Sequence, residues 1–150
     1  MDAVLSNTRR LVCQLQLLEE ELQGAGPGRV VMSPGQGRIS LPDDDSQVCL
    51  NPIERTLYRL FLAHPDGISA SNLLLHWKEL CAIYAEESWF DDSSVREEKL
   101  ESLCAETKAV FYSTVSRIKH KFVEAVGPWR AEAYIIKNEG GVYKVNAHYL

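Results

Sequence analysis

No C-x-x-C pair occurs in the 150 residues, and the four cysteines (Cys13, Cys49, Cys81, Cys104) stand far apart. Structural zinc sites draw on closely spaced ligands, and none of His64, His76, His120 and His148 lies at i, i+4 spacing to a cysteine, so no metal site is expected. Reduced thiols, some buried as small hydrophobes, are expected instead. Nor does any apolar run reach the length of a membrane span. The opening residues, MDAVLSNTRRLVCQLQLLEEEL, set charges among the apolar positions, unlike a secretory signal. The expectation is a cytoplasmic protein without a membrane partner.

Two further absences bear on chemistry. No strand–Gly-loop–helix order followed by Lys-Ser/Thr is present, so the Gly- and Asp-containing stretches are turns rather than a phosphate cradle. No nucleophile stands beside an oriented base, and pairs such as His64/Asp66, His76/Glu79 and Cys81/Glu86 are what any helical surface offers. A protein that is not an enzyme and holds no cofactor is expected.

What is present is an ordinary globular composition, 45% apolar and 25% charged, in a chain long enough for one sizeable core. The net charge of −5 conceals an asymmetry. Over Lys108–Leu150 seven basic residues face three acidic ones, net +4, which leaves −9 for the rest. Local basicity in an acidic whole marks either an anionic partner or a solvated face.

Met1, Val4, Leu11, Leu15, Leu18 and Leu22 recur at the three–four spacing of a helical seam, predicting an amphipathic helix over 1–23. That seam packs either on its own domain or on a second copy, a homodimer through Val4, Leu11, Leu15, Leu18 and Leu22. GAGPG makes 24–28 a linker, and 29–150 forms the domain proper. β-branched runs separated by Ser-Pro-Gly and Pro-Asp-Asp turns predict an antiparallel meander over Arg29–Met32, Arg38–Leu41 and Gln47–Leu50. From Asn51 the period becomes helical. Asn51 is an N-cap, Pro52 suits the first position and Glu54 completes a capping box; Pro65 ends the helix near His64. Ser69 caps a second amphipathic helix, ASNLLLHWKELCAIYAEE. An acidic loop with a short helix follows, then a third helix, KAVFYSTVSRIKHKFVEAV, with Val110, Ser113 or Thr114, Ile118 and Phe122 inward. AYIIKN-EGG-VYKV closes as a hairpin, and NAHYL has no assignment. The predicted core is Leu57, Leu60, Phe61, Leu73, Leu74, Leu80, Val110, Ile118 and Phe122.

Three helices and a hairpin, the third helix basic, resemble the OmpR/PhoB-type winged-helix effector domain of bacterial response regulators. LNPIERTLYRLFLAHPDGI (Leu50–Ile68) is similar to that family's L-T-P-x-E opening and His-Pro-x-Gly helix end. TVSRIKHKF (Thr114–Phe122) resembles its recognition helix, and IIKNEGGVYKV (Ile135–Val145) its wing, with Tyr143 on the family's tyrosine. The match covers about Arg29–Val145. It departs from the family at Asn51, which replaces Thr; at Glu139, where the wing arginine would stand; and at the long acidic insertion Glu86–Glu106. An N-terminal helix stands in the receiver domain's place, so phosphorylation control is not implied.

The resemblance implies an α+β winged helix-turn-helix: a small N-terminal antiparallel sheet, three core helices and a β-hairpin wing, preceded by the extra helix. It also implies a DNA-binding transcription regulator. Tyr112, Ser116, Lys119 and His120 would face bases in the major groove, while Lys108, Arg117, Lys121, Lys137 and Lys144 would hold phosphates of duplex DNA. The alternative is a winged-helix protein–protein interaction module without DNA binding, favoured by the net acidity and by Glu139. A basic surface interrupted by Glu124, Glu132 and Glu139 would point to that alternative.

Overall fold

Residues 28–149 are described by a computed structural model. The helix expected over 1–23 and its dimer seam lie outside the described residues. The described part is mixed α+β, with four helices and two small sheets.

The first sheet begins with the meander the turn residues dictate: β1 (Arg29–Met32), β2 (Arg38–Leu41) and β3 (Ser46–Cys49), antiparallel throughout. The third strand starts one residue earlier than expected, because Ser46 pairs with Leu41 at the end of the ladder. The unassigned tail supplies a fourth strand, β7 (His148–Tyr149), which lies parallel to β1 and gives the order β3-β2-β1-β7. Gly28 makes this closure possible. A Cβ there would lie 2.4 Å from the Tyr134 ring, and the Gly28 carbonyl accepts the His148 N–H at 2.9 Å.

Helix α1 (Pro52–Ala63) is capped as its sequence requires. Asn51 Oδ1 accepts the Glu54 N–H at 3.0 Å, and Glu54 Oε1 accepts the Asn51 N–H at 2.9 Å. After the His64 turn, β4 (Ile68–Ser69) leads into a 3-10 segment, Ala70–His76, and then α2 (Trp77–Glu87). The single helix expected from Ser69 is therefore two pieces, and Ser69 makes no side-chain cap; its hydroxyl meets Ser71 instead. The acidic insertion contains α3 (Ser93–Leu103), capped by Asp92 and seated through Leu100 and Leu103. Helix α4 (Ala109–Ala131) is broken near its end by Gly127, at φ 84 and ψ 161. Beyond it, β5 (Ile136–Glu139) and β6 (Val142–Val145) form the hairpin, and β4 joins β6 to complete the sheet β4-β6-β5.

Most of the expected core is one cluster: Leu57, Leu60, Phe61, Leu73, Leu80, Ile118 and Phe122 are fully buried. Two expected members are not. Leu74 is 58% exposed and Val110 37% exposed. Both corrections follow from helix period. In a 3-10 segment residues i and i+3 eclipse, so Ala70, Leu73 and His76 share the inner row while Ser71 and Leu74 turn outward. On α4, steps of four overrun the 3.6-residue turn by about 40° each, so Val110 ends about 120° from Phe122. Phe111, at steps of three, four and four to Thr114, Ile118 and Phe122, lies within about 20° of that line and is buried in its place. Thr114, not Ser113, is the inward hydroxyl, donating to the Val110 carbonyl at 2.7 Å.

Candidate interaction surfaces

Helix α4 has two polar faces with different roles. Tyr112, Ser116, Lys119 and His120 fall at i, i+4, i+7 and i+8 and are all exposed on one strip. Among them only His120 meets a charged partner within the described residues: its Nε2 lies 3.0 Å from Glu124 Oε1. Arg117 and Lys121 turn the other way. Both pair with the wholly buried Glu54, Arg117 through Nε at 3.3 Å and Lys121 through Nζ. One carboxylate therefore caps α1 and anchors α4.

Magnitudes separate these cations from the rest. Stripping a buried carboxylate of its partners is strongly destabilising, about 3–5 kcal/mol for a fully buried pair, whereas an exposed ion pair contributes about 0–1 kcal/mol. Arg117 and Lys121 are thus committed to Glu54. Lys137 beside Glu132 at 2.7 Å and Lys144 beside Glu139 at 3.4 Å sit in exposed, exchangeable pairs. Lys108 donates from Nζ to the Cys104 carbonyl at 3.3 Å. So the nine residues singled out from sequence do not form one cationic surface: Arg117 and Lys121 lean onto the buried Glu54 while keeping part of their surface in solvent, and Glu124, Glu132 and Glu139 stand beside His120, Lys137 and Lys144.

The hairpin is fixed to α4 by aromatic packing. The Tyr143 ring meets Phe111 edge-on at 5.0 Å between centroids and Tyr112 at 6.4 Å. A second network fastens the meander to the end of α4: Arg130 grips Asp44 at 2.7 and 3.0 Å, and the Tyr134 hydroxyl also donates to Asp44. The Arg130 bonds hold the Asp44 carboxyl below its usual range. Beside it, hydrogen bonding from Arg29 brings Asp43 down to about 2. A third network, centred on the buried Glu87, joins Arg55 to Glu87 at 2.6 Å and the part-buried Arg59 to Glu87 at 3.1 Å, tying α1 to α2.

A cleft of about 530 Å³ opens between the 3-10 segment, α2 and α3, lined by Leu74, Trp77, Glu97, Glu101 and Cys104. A smaller hollow of about 230 Å³ adjoins it and shares Trp77 and Glu97. The segment 91–106, which contributes Glu97 and Glu101 to the cleft and Arg96 to the hollow, carries six acidic and two basic side chains, net −4. Burial pushes the Cys104 and Cys81 thiols up, so both are neutral packing groups rather than nucleophiles. The sequence contained a trace of this cleft: in Leu73-Leu74-Leu75 only one leucine can face inward in a three-fold segment, and an acidic helix follows.

Near the same junction, His64 from the end of α1, His76 from the 3-10 segment and Glu79 from α2 bring their donor atoms within 4.8 Å of one another. Spacing to cysteines held no sign of it, because His64 arrives from another helix. Compared with family models, curated proteins and solved structures, the chain matches none. No helix among the described residues is long and apolar enough to cross a membrane.

Proposed function

We propose that this chain is a winged-helix protein-interaction module that receives a basic, amphipathic segment of a partner in the cleft between the 3-10 segment, α2 and α3. Support for the winged-helix assignment is the element order: α1, α2 and α4 form the three-helix core, β5–β6 is the wing, and β4 pairs with the wing strand β6. The observation that carries the function is the cleft itself, where an exposed Leu74 and a part-buried Trp77 lie beside Glu97 and Glu101. An apolar side chain flanked by Lys or Arg satisfies both halves at once. Seating it removes leucine and tryptophan surface from water at about 25 cal/mol per Å², and the acidic rim sets orientation and association rate.

Duplex DNA is the second reading, and what favours it is the exposed strip of Tyr112, Ser116, Lys119 and His120. Against it stand the carboxylates interleaved with the cations of α4 and the wing. One experiment separates the two. The purified chain is titrated, by fluorescence anisotropy across a salt series, with a labelled Leu/Lys amphipathic peptide and with labelled random duplex. Peptide binding that Glu97→Lys/Glu101→Lys abolishes supports the module. Salt-steep duplex binding with no peptide binding supports DNA, and binding of neither sinks both.

A further inference from the structure

We infer that His64, His76 and Glu79 form a binding site for a divalent transition-metal ion of the zinc class, an assignment independent of the partner proposed above. The three donors come from separate places that the fold forces together. His64 is the C-cap of α1, where Pro65 ends the helix; His76 closes the 3-10 segment; Glu79 lies in the first turn of α2. His64 Nε2 stands 2.7 and 3.0 Å from the two Glu79 oxygens, and His76 Nδ1 stands 3.6 Å from Oε2. The two imidazole rings meet edge-on at 4.6 Å.

An ion pair between His64 and Glu79 explains only part of this geometry. At 3.6 Å the His76 nitrogen is too far to hydrogen-bond the carboxylate, yet it points at the same oxygen. That spacing suits a metal ion. Donors about 2.0–2.1 Å from a tetrahedral ion lie about 3.3 Å from one another, so the cluster needs only small side-chain adjustments to close on one. The donor set selects the ion. Two imidazole nitrogens and one carboxylate suit zinc and its neighbours, while calcium and magnesium take all-oxygen shells. Three protein ligands leave a fourth position for water or a partner's side chain. All three groups are only part-buried, so an ion can enter without unfolding the domain. Once bound, it would clamp the end of α1 to the start of α2, one residue from Trp77 in the cleft.

The test uses the full chain without a polyhistidine tag, stripped with chelator and titrated with CoCl₂, then with ZnCl₂ in competition. Expected are one equivalent of cobalt with visible d–d absorption, displacement by zinc, and a zinc-dependent rise in melting temperature. His76→Ala removes a side chain that makes no hydrogen bond among the described residues, and Glu79→Gln keeps an acceptor for His64, so both variants retain the fold by circular dichroism. Losing a ligand costs more than the roughly 10–100-fold that removing an outer-shell partner does, and both variants should weaken cobalt binding by at least that much. Absence of a d–d band, unchanged affinity in His76→Ala, or a thiolate-to-cobalt charge-transfer band would each overturn the site.

Discussion

The Glu54 carboxylate at the N-terminus of α1 stands 3.3 Å from the Arg117 guanidinium on α4, at a point where Glu54 has no exposed surface. A capping residue read from sequence as a local device is therefore also a long-range tie, 63 residues along the chain. Glu54→Gln keeps the cap acceptor but loses the charge that Arg117 and Lys121 share. Hydrogen bonds to charged groups are worth about 1.5–3 kcal/mol, and these partners are partly solvated, so a loss of about 2 kcal/mol is expected in urea unfolding. The double variant Arg117→Ala/Lys121→Ala should cost more, about 3 kcal/mol, because it leaves the buried charge without a cation, held only by the Asn51 N–H among the described residues. A double variant as stable as the parent would show that Glu54 is not held this way.

Core register is checked by two neighbours on α4. Phe111→Ala empties a fully buried site that contacts Phe61 and Tyr143 and should cost about 3–5 kcal/mol, whereas Val110→Ala should cost under about 1 kcal/mol. Equal losses at the two positions would mean that α4 is rotated from the orientation described.

That pair also marks where sequence reading succeeds and fails. Strands bounded by Pro, Gly and Asp, and a helix bounded by Asn51 and Pro65, are legible because turn and cap chemistry is local. Val110 and Leu74 are expected inward yet lie exposed, because a helix face depends on a period that drifts with each step. Whether Ala70–His76 winds at three or 3.6 residues per turn is settled by packing, not by propensity. The roles of Arg117 and Lys121 were hidden for another reason. A basic helix looks the same on paper whether its cations meet phosphate or a buried glutamate from the start of another helix.

Acid should weaken the attachment of the meander. Asp43 is held at about 2 by its bonds to Arg29, against an ordinary value of 3.8, and Asp44 is lowered by Arg130. A depressed carboxyl contributes stability that is present in full above its unfolded value and disappears as pH falls through its folded value. The stability difference between the parent and Asp44→Asn should accordingly be constant well above the ordinary carboxyl value of 3.8 and shrink as pH falls below it. Urea midpoints measured along that range give the comparison. A gap that widens with acid would contradict the Arg130–Asp44 attachment.

At Gly127 the backbone adopts φ 84 and ψ 161, although a Cβ would meet no atom within 4 Å. The cost of Gly127→Ala is then conformational alone, about 1–3 kcal/mol for a region that only glycine enters readily. Thermal melts of the variant give the value. A neutral or stabilising outcome would mean that α4 continues straight through this position.

Lys119 and Lys121 are two residues apart in sequence and on opposite sides of α4, and their substitution distinguishes a nucleic-acid face from a structural one. Lys119 is exposed and in no ion pair among the described residues; Lys121 is bound to Glu54. If the exposed strip of α4 meets duplex DNA, Lys119→Ala should leave the melting temperature unchanged. It should also flatten the log–log dependence of affinity on salt by about 0.9, the share of one neutralised phosphate. Lys121→Ala should do the reverse, lowering the melting temperature while leaving the slope intact. Glu139→Arg adds a wing cation where Lys144 now faces a carboxylate at 3.4 Å, and it should tighten duplex binding only if the wing lies against the backbone. A slope that ignores Lys119, in a chain whose peptide affinity falls with Glu97→Lys/Glu101→Lys, assigns the partner to the acidic cleft and leaves the basic face of α4 to the solvent and to Glu54.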